Sequence, residues 1–153
     1  MNLVVFVITL AAVNGLLAGL NTDTVLVKLP ARRRIGSRAY AAFARGNDLG
    51  KGLIVYPLLG IGAALLTLLA TAFAYTEHSS LELLVLLSLA SLLSLLHTFA
   101  TTRAAPVMLS LKNAPDDEAI LTAKLDRFTG FHAFRATFQV VTFFLLLWAL
   151  AIA

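Results

Sequence analysis

Cysteine is absent from the 153-residue chain, which excludes disulfides, a thiolate nucleophile and any thiolate metal site while leaving the compartment undecided. Charge is scarce as well. Asp, Glu, Lys and Arg together make up 13% of the residues, and none of them falls near the middle of a long apolar run, where an ion or proton path would need one. No phosphate loop, dinucleotide fingerprint or serine nucleophile elbow occurs. Two candidate histidines on different helices, with no EXXH or HEXXH spacing and no acidic residue inside a span, leave a catalytic metal short of ligands, so no metal is expected.

What the chain has in quantity is apolar surface. Hydrophobic residues are 59% of the total and the mean hydropathy is +0.89, against roughly half apolar in a soluble domain. This describes an integral membrane protein, so the net charge of +4 is read as a topology signal and no nucleic acid is expected. The first apolar run has no basic residue before it and no small-residue cleavage site after a short core, and is read as a retained span.

The apolar runs predict an all-α, polytopic membrane four-helix bundle in one domain over 1–153, with spans at about 2–21, 52–75, 81–105 and 131–153. Span one carries Gly15-x-x-x-Gly19, which permits close helix approach. Residues 22–51 read as a polar connection holding a short amphipathic helix. Ser37 is its expected cap, Tyr40 and Phe43 share a face laid on the membrane surface, and Gly46 and Gly50 mark the turn into span two. Pro57 is tolerated near a helix start. The short stretch 76–80 implies an antiparallel hairpin of spans two and three. Pro106 ends or kinks span three. Asn113 is the expected cap of a last helix, with Asp116, Asp117 and Glu118 suiting its positive end, and that helix should run unbroken into span four.

Apart from Arg135, every Lys and Arg lies in or at the edge of the first and third connections. The positive-inside rule puts those connections in the cytoplasm and both termini outside. Arg32, Arg33 and Arg34 set this orientation and bind anionic lipid headgroups of the bilayer.

Along the helical approach to span four and into it, Phe128, His132, Arg135, Gln139 and Thr142 follow one another by four, three, four and three residues, a single helical stripe. Given the rise per residue, His97 lies about 12 Å into the membrane, Gln139 about 12 Å, Asn14 about 10 Å, and Tyr56 and Arg135 about 6 Å. All four spans thus put their most polar groups in the cytoplasmic half. A pocket lined by Asn14, Tyr56, His97, His132, Arg135 and Gln139, open to that side and taking a hydrophobic small molecule, is the reading that uses them together. Competing structural roles exist for each. His132 and Arg135 sit near a helix end and can snorkel; Tyr56 suits an interfacial belt; Asn14 suits a packing hydrogen bond. His97 is too deep to snorkel, and its structural alternative is a bond to Ser94 or to a neighbouring helix.

The stretches LPARRRIGSRAYAAFARGNDLGKGLIVYP and DRFTGFHAFRATFQVVTFFLLL resemble the small four-span proteins of the anthrone oxygenase-like family, whose last span opens aromatic-x-x-aromatic-His-x-x-Arg. The matching positions are Phe128, Phe131, His132 and Arg135; phenylalanine stands where the family often has tryptophan. The resemblance implies oxygenation of an anthrone or similar polycyclic phenol to a quinone without an organic cofactor. Such chemistry asks for a base, met by His97 or His132, and a cation for the oxyanion, met by Arg135. Gln139 and Asn14 would donate hydrogen bonds, and Phe128, Phe131 and Phe138 would form apolar walls. Two other classes stay open: a non-enzymatic subunit or lipid-binding helper, and a four-span glutathione-dependent enzyme. The second lacks its Arg and Asn-x-x-Glu pattern here, since Asn47 is followed at that spacing by Gly50. Oligomeric state is not legible.

Overall fold

A computed structural model describes residues 3–153. The described residues are almost wholly helical and contain no strand. Helix α1 (Leu3–Asp23) passes through a π-helical stretch, Thr24–Lys28, into α2 (Leu29–Ile35), and α3 (Ser37–Gly46) passes through a second, Asn47–Lys51, into α4 (Gly52–Thr76). Helices α5 (Leu81–Leu109) and α6 (Glu118–Ile152) complete the chain. Four helices, counting each joined pair as one, are long and apolar enough to cross a membrane.

Residues 22–51 are therefore a correction to the expected loop. They prolong the flanking helices, and the one break in helical backbone between α2 and α3 is Gly36, at φ +83°, a conformation that disfavours a Cβ. Helix α3 turns Ser37, Tyr40, Ala41 and Ala44 inward, while Phe43 is exposed. The two rings still meet, with centroids 6.2 Å apart, but Tyr40 is buried in the protein core instead of lying on a surface face with Phe43. Ser37 is not the cap either. Glu118, at the start of α6, accepts from the Ser37 amide at 2.6 Å and the Arg38 amide at 3.2 Å, satisfying orphan donors of α3 from another helix. The α6 cap is Asp117, whose side chain accepts from the Ile120 amide at 2.9 Å, instead of Asn113. Pro106 does not end α5, which continues to Leu109.

The Ser37 and Arg38 bonds hold the Glu118 carboxyl below its ordinary value of 4.5. A lowered folded-state pKa stabilises above the unfolded value and loses that effect as pH falls through the folded one. Glu118→Gln should therefore speed amide exchange in α3 at neutral pH, and the difference from wild type should shrink as pH drops below 4.5.

Two apolar cores lie at opposite ends. Leu10, Ala70, Leu87, Leu146 and Ala149 join α1, α4, α5 and α6 at one; Leu29, Tyr40, Ala44, Met108, Leu111, Leu121 and Leu125 join α2, α3, α5 and α6 at the other. Small residues such as Ala70, Ala74, Ala90 and Ala149 allow the helices to close at the first. Arg45 fixes the second by donating to the Leu111 and Ala114 carbonyls in the α5–α6 turn, and Arg32 pairs with Asp126. Between the cores lie the buried polar side chains Asn14, His97, His132 and Gln139, and there the bundle opens.

Candidate functional site

A cavity of about 260 Å³ lies between the two cores and is lined by all four long helices. Helix α1 supplies Leu17, Asn21 and, just beyond its end, Thr24; α4 supplies Tyr56, Pro57 and Gly60; α5 supplies His97, Thr98 and Thr101; α6 supplies Phe128, His132 and Arg135. Apolar groups dominate the wall, with the polar ones converging from several helices, the usual make-up of a small-molecule site.

The α6 stripe is seen in the structure: Phe128, His132, Gln139 and Thr142 are buried and Arg135 is half-buried. The His132 ring stacks on Phe128, with centroids 5.1 Å apart. Although the Asn21 backbone is nearby, neither ring nitrogen of His132 has a protein partner within hydrogen-bond geometry. The Arg135 Nε is likewise buried without a partner, and the guanidinium forms no ion pair among the described residues. Buried polar groups are nearly always satisfied, so an orphaned imidazole and an orphaned guanidinium facing one cavity point to a ligand that satisfies them.

His97 is held differently. Its Nδ1 lies 3.0 Å from the Arg135 carbonyl oxygen. A carbonyl only accepts, so Nδ1 carries the proton, and the neutral ring leaves its lone pair on Nε2. His97 lines the cavity in this fixed tautomer. Of its two structural alternatives, the bond runs to a neighbouring helix and not to Ser94.

Four of the sequence-derived residues stand outside the lining. Gln139 donates from Nε2 to Asn14 Oδ1 at 2.7 Å and approaches the Asn14 carbonyl at 3.3 Å, while Asn14 Nδ2 donates to the Leu10 carbonyl at 3.0 Å. Both side chains are fully buried, and the pair ties α1 to α6. Phe131 packs on the core beneath α3, beside Arg127, and Phe138 is half-buried away from the cavity. Tyr56, His97, Phe128, His132 and Arg135 are the five brought together. Asn14→Leu should cost about 1–3 kcal/mol by stranding the Gln139 amide, and Asn14→Leu with Gln139→Leu should recover most of it. Denaturant titration of the two singles and the double in one detergent checks this.

Sequence reasoning missed Asn21 and Asp48. Asn21 continues the helical face of Asn14 and Leu17 into Thr24, a stripe that was there to be read. Asp48 gave no periodic signal because it lies in the π-helical stretch, where Gly50 departs from helical backbone (φ −89°, ψ −121°). Asn47 Nδ2 donates to Asp48 Oδ1 at 2.9 Å and the Tyr56 hydroxyl to the same oxygen at 3.4 Å. Burial pushes this carboxyl, which precedes the span of α4, above its ordinary range against the pull of Lys28, Tyr56 and Asn47. Gly52 makes the arrangement fit: a Cβ there would come within 2.8 Å of Tyr56 Cε2 and 2.9 Å of the Asn47 carbonyl oxygen.

Among the described residues no three His, Asp or Glu side chains gather as a metal site would require. The fold and cavity define a class, a four-helix protein with membrane-span-capable helices around a largely apolar, polar-tipped chamber. Compared with family models, curated proteins and solved structures, the chain matches none.

Proposed function

We propose that this is a multi-pass membrane enzyme of the anthrone oxygenase-like kind, which binds a hydrophobic, weakly acidic aromatic molecule and promotes its reaction with molecular oxygen. The observation that carries the reading is the pairing of unsatisfied groups, His132 and Arg135, in a largely apolar cavity that also holds the fixed tautomer of His97. The basic ends of the helices face the cytoplasm and the termini face outward, in keeping with the placing of Lys and Arg. Arg33 and Arg34 are exposed and meet anionic headgroups, whereas Arg32 is engaged by Asp126.

The chemistry follows from the groups present. A CH₂ carbon lying across the central ring from an aromatic ketone loses a proton to the Nε2 lone pair of His97, and the electron pair is delocalised through the fused rings onto the carbonyl oxygen. Arg135 neutralises that oxyanion and His132 hydrogen-bonds to it. The electron-rich anion passes one electron to oxygen, the two radicals combine at carbon, and the imidazolium of His97 returns its proton to the peroxide. Loss of water then leaves a second carbonyl. The substrate is oxidised by four electrons, oxygen is reduced by four, one oxygen atom enters the quinone and the other leaves as water. The cavity lies just below the ~300–1,000 Å³ range of common ligand sites, which suits a few fused rings better than a long acyl chain.

Oxygen uptake by detergent-purified protein given a simple anthrone tests the reading, with quinone formation followed by absorbance. Uptake at one mole of oxygen per mole of quinone supports it. A well-folded sample that binds the anthrone but consumes no oxygen would place the same cavity in a ligand-binding helper.

A further inference from the structure

Among the described residues Asp48 is the one acidic group in the cavity wall, and it does not sit on a regular helix. The irregular backbone around Gly50 brings a residue from a basic stretch into the wall of the chamber. Both protein hydrogen bonds to its carboxylate fall on Oδ1, from Asn47 and Tyr56, and Oδ2 receives none from the described residues. A carboxylate can only accept, so the complement of Oδ2 is an O–H or N–H donor.

The charge of that donor is also constrained. Lys28 is close enough to act on Asp48 electrostatically, and it is itself paired with Asp23 at 2.9 Å. With the Lys28 ammonium already acting on Asp48, a neutral donor completes Oδ2 without bringing a second cation to the carboxylate. The unpaired Arg135 and His132 come from α6, while Asp48 comes from the π-helical stretch and Tyr56 from the first turns of α4, and the lining these groups share is largely apolar.

We infer that the cavity has two poles and takes a bipolar aromatic ligand, with an acidic or carbonyl group at Arg135 and His132 and a hydroxyl or other neutral donor at Asp48. The inference rests on the reading of this cavity as the reaction site and adds a specificity-determining residue to it.

Binding of naphthol and of dihydroxynaphthalenes with hydroxyls on opposite rings, measured by calorimetry on the full chain in detergent, tests both levels separately. In wild type the best-fitting diol should bind about tenfold tighter than naphthol, the worth of one charge-assisted hydrogen bond. Asp48→Asn should erase that advantage, so that the diol and naphthol bind the variant with equal affinity. The mono-methyl ether of the diol should lose the advantage in unaltered protein, so the outcome does not depend on the variant folding. A diol advantage that survives in Asp48→Asn or in the ether, or is missing in wild type, overturns the Asp48 pole while naphthol binding weakened by Arg135→Gln keeps the cavity reading. Naphthol binding indifferent to Arg135→Gln overturns both.

Discussion

Arg135→Gln is expected to lower anthrone-driven oxygen uptake by about 10²–10³-fold, the usual cost of removing one oxyanion donor, while the melting temperature in detergent stays level or rises. The two halves of this result have one cause. Arg135 is a half-buried guanidinium with a buried, unpartnered Nε and no carboxylate opposite it. A cation held this way is costly to the folded state, because its desolvation is not repaid by a partner. Gln keeps much of the stem and a hydrogen-bond donor without the charge, so the fold is relieved as the site is disabled, a trade of stability for function seen at preorganised sites. The alternative role drawn from the sequence, an anchor snorkelling to headgroups, predicts the opposite pair of results: uptake retained and stability reduced. Measuring turnover and melting on the same preparation separates the two. Normal uptake in Arg135→Gln would remove the oxyanion role outright.

How much of this was legible in the sequence depends on helical phase. Helix α6 runs 35 residues without interruption, so a 3.6-residue period read from its sequence stays in register from Phe128 to Thr142 and picks out the buried face. The same holds for Asn14, Leu17 and Asn21 on α1. Phase is lost where the backbone is π-helical. The stretches at Thr24–Lys28 and Asn47–Lys51 rotate the residues that follow them, and both lie in the segment expected to be a loop. Its basic composition masked helices whose arginines are spent on structure, Arg45 on the Leu111 and Ala114 carbonyls and Arg32 on Asp126.

The cavity's membership shows a different limit. A stripe says which residues share a face, but not which of them meets a partner across the interface. Gln139 and His132 lie on the same stripe of α6, yet Gln139 faces Asn14 of α1 and donates to it from Nε2, leaving only its Oε1 without a partner, whereas His132, two turns nearer the helix start, faces the gap and is bonded at neither ring nitrogen. The difference is set by how α1 and α6 are rotated and offset against each other, which no single-helix pattern encodes. Phe131 and Phe138 illustrate the same point, since the family resemblance and their aromatic character placed them in the wall, and their positions off the stripe take them out of it.

His97→Asn is expected to abolish turnover by about 10²–10⁴-fold, the range of a lost general base, with a melting temperature close to wild type. Asparagine is chosen for what it keeps. Its amide nitrogen falls near the position of Nδ1 and can donate to the Arg135 carbonyl, so the α5–α6 bond seen at 3.0 Å persists. What it removes is Nε2, the lone pair the fixed tautomer offers to the cavity. His97→Gln makes the reciprocal change, with its amide reaching toward the Nε2 position and the Nδ1 bond lost. This variant should melt lower by the worth of one buried hydrogen bond, about 1 kcal/mol, and it too lacks a titratable base. A purely structural His97 predicts a different ordering, in which Asn retains full uptake and only Gln suffers. Because the two substitutions divide the ring between them, turnover in the Asn variant decides whether Nε2 does chemistry, whatever the Gln variant does to the fold.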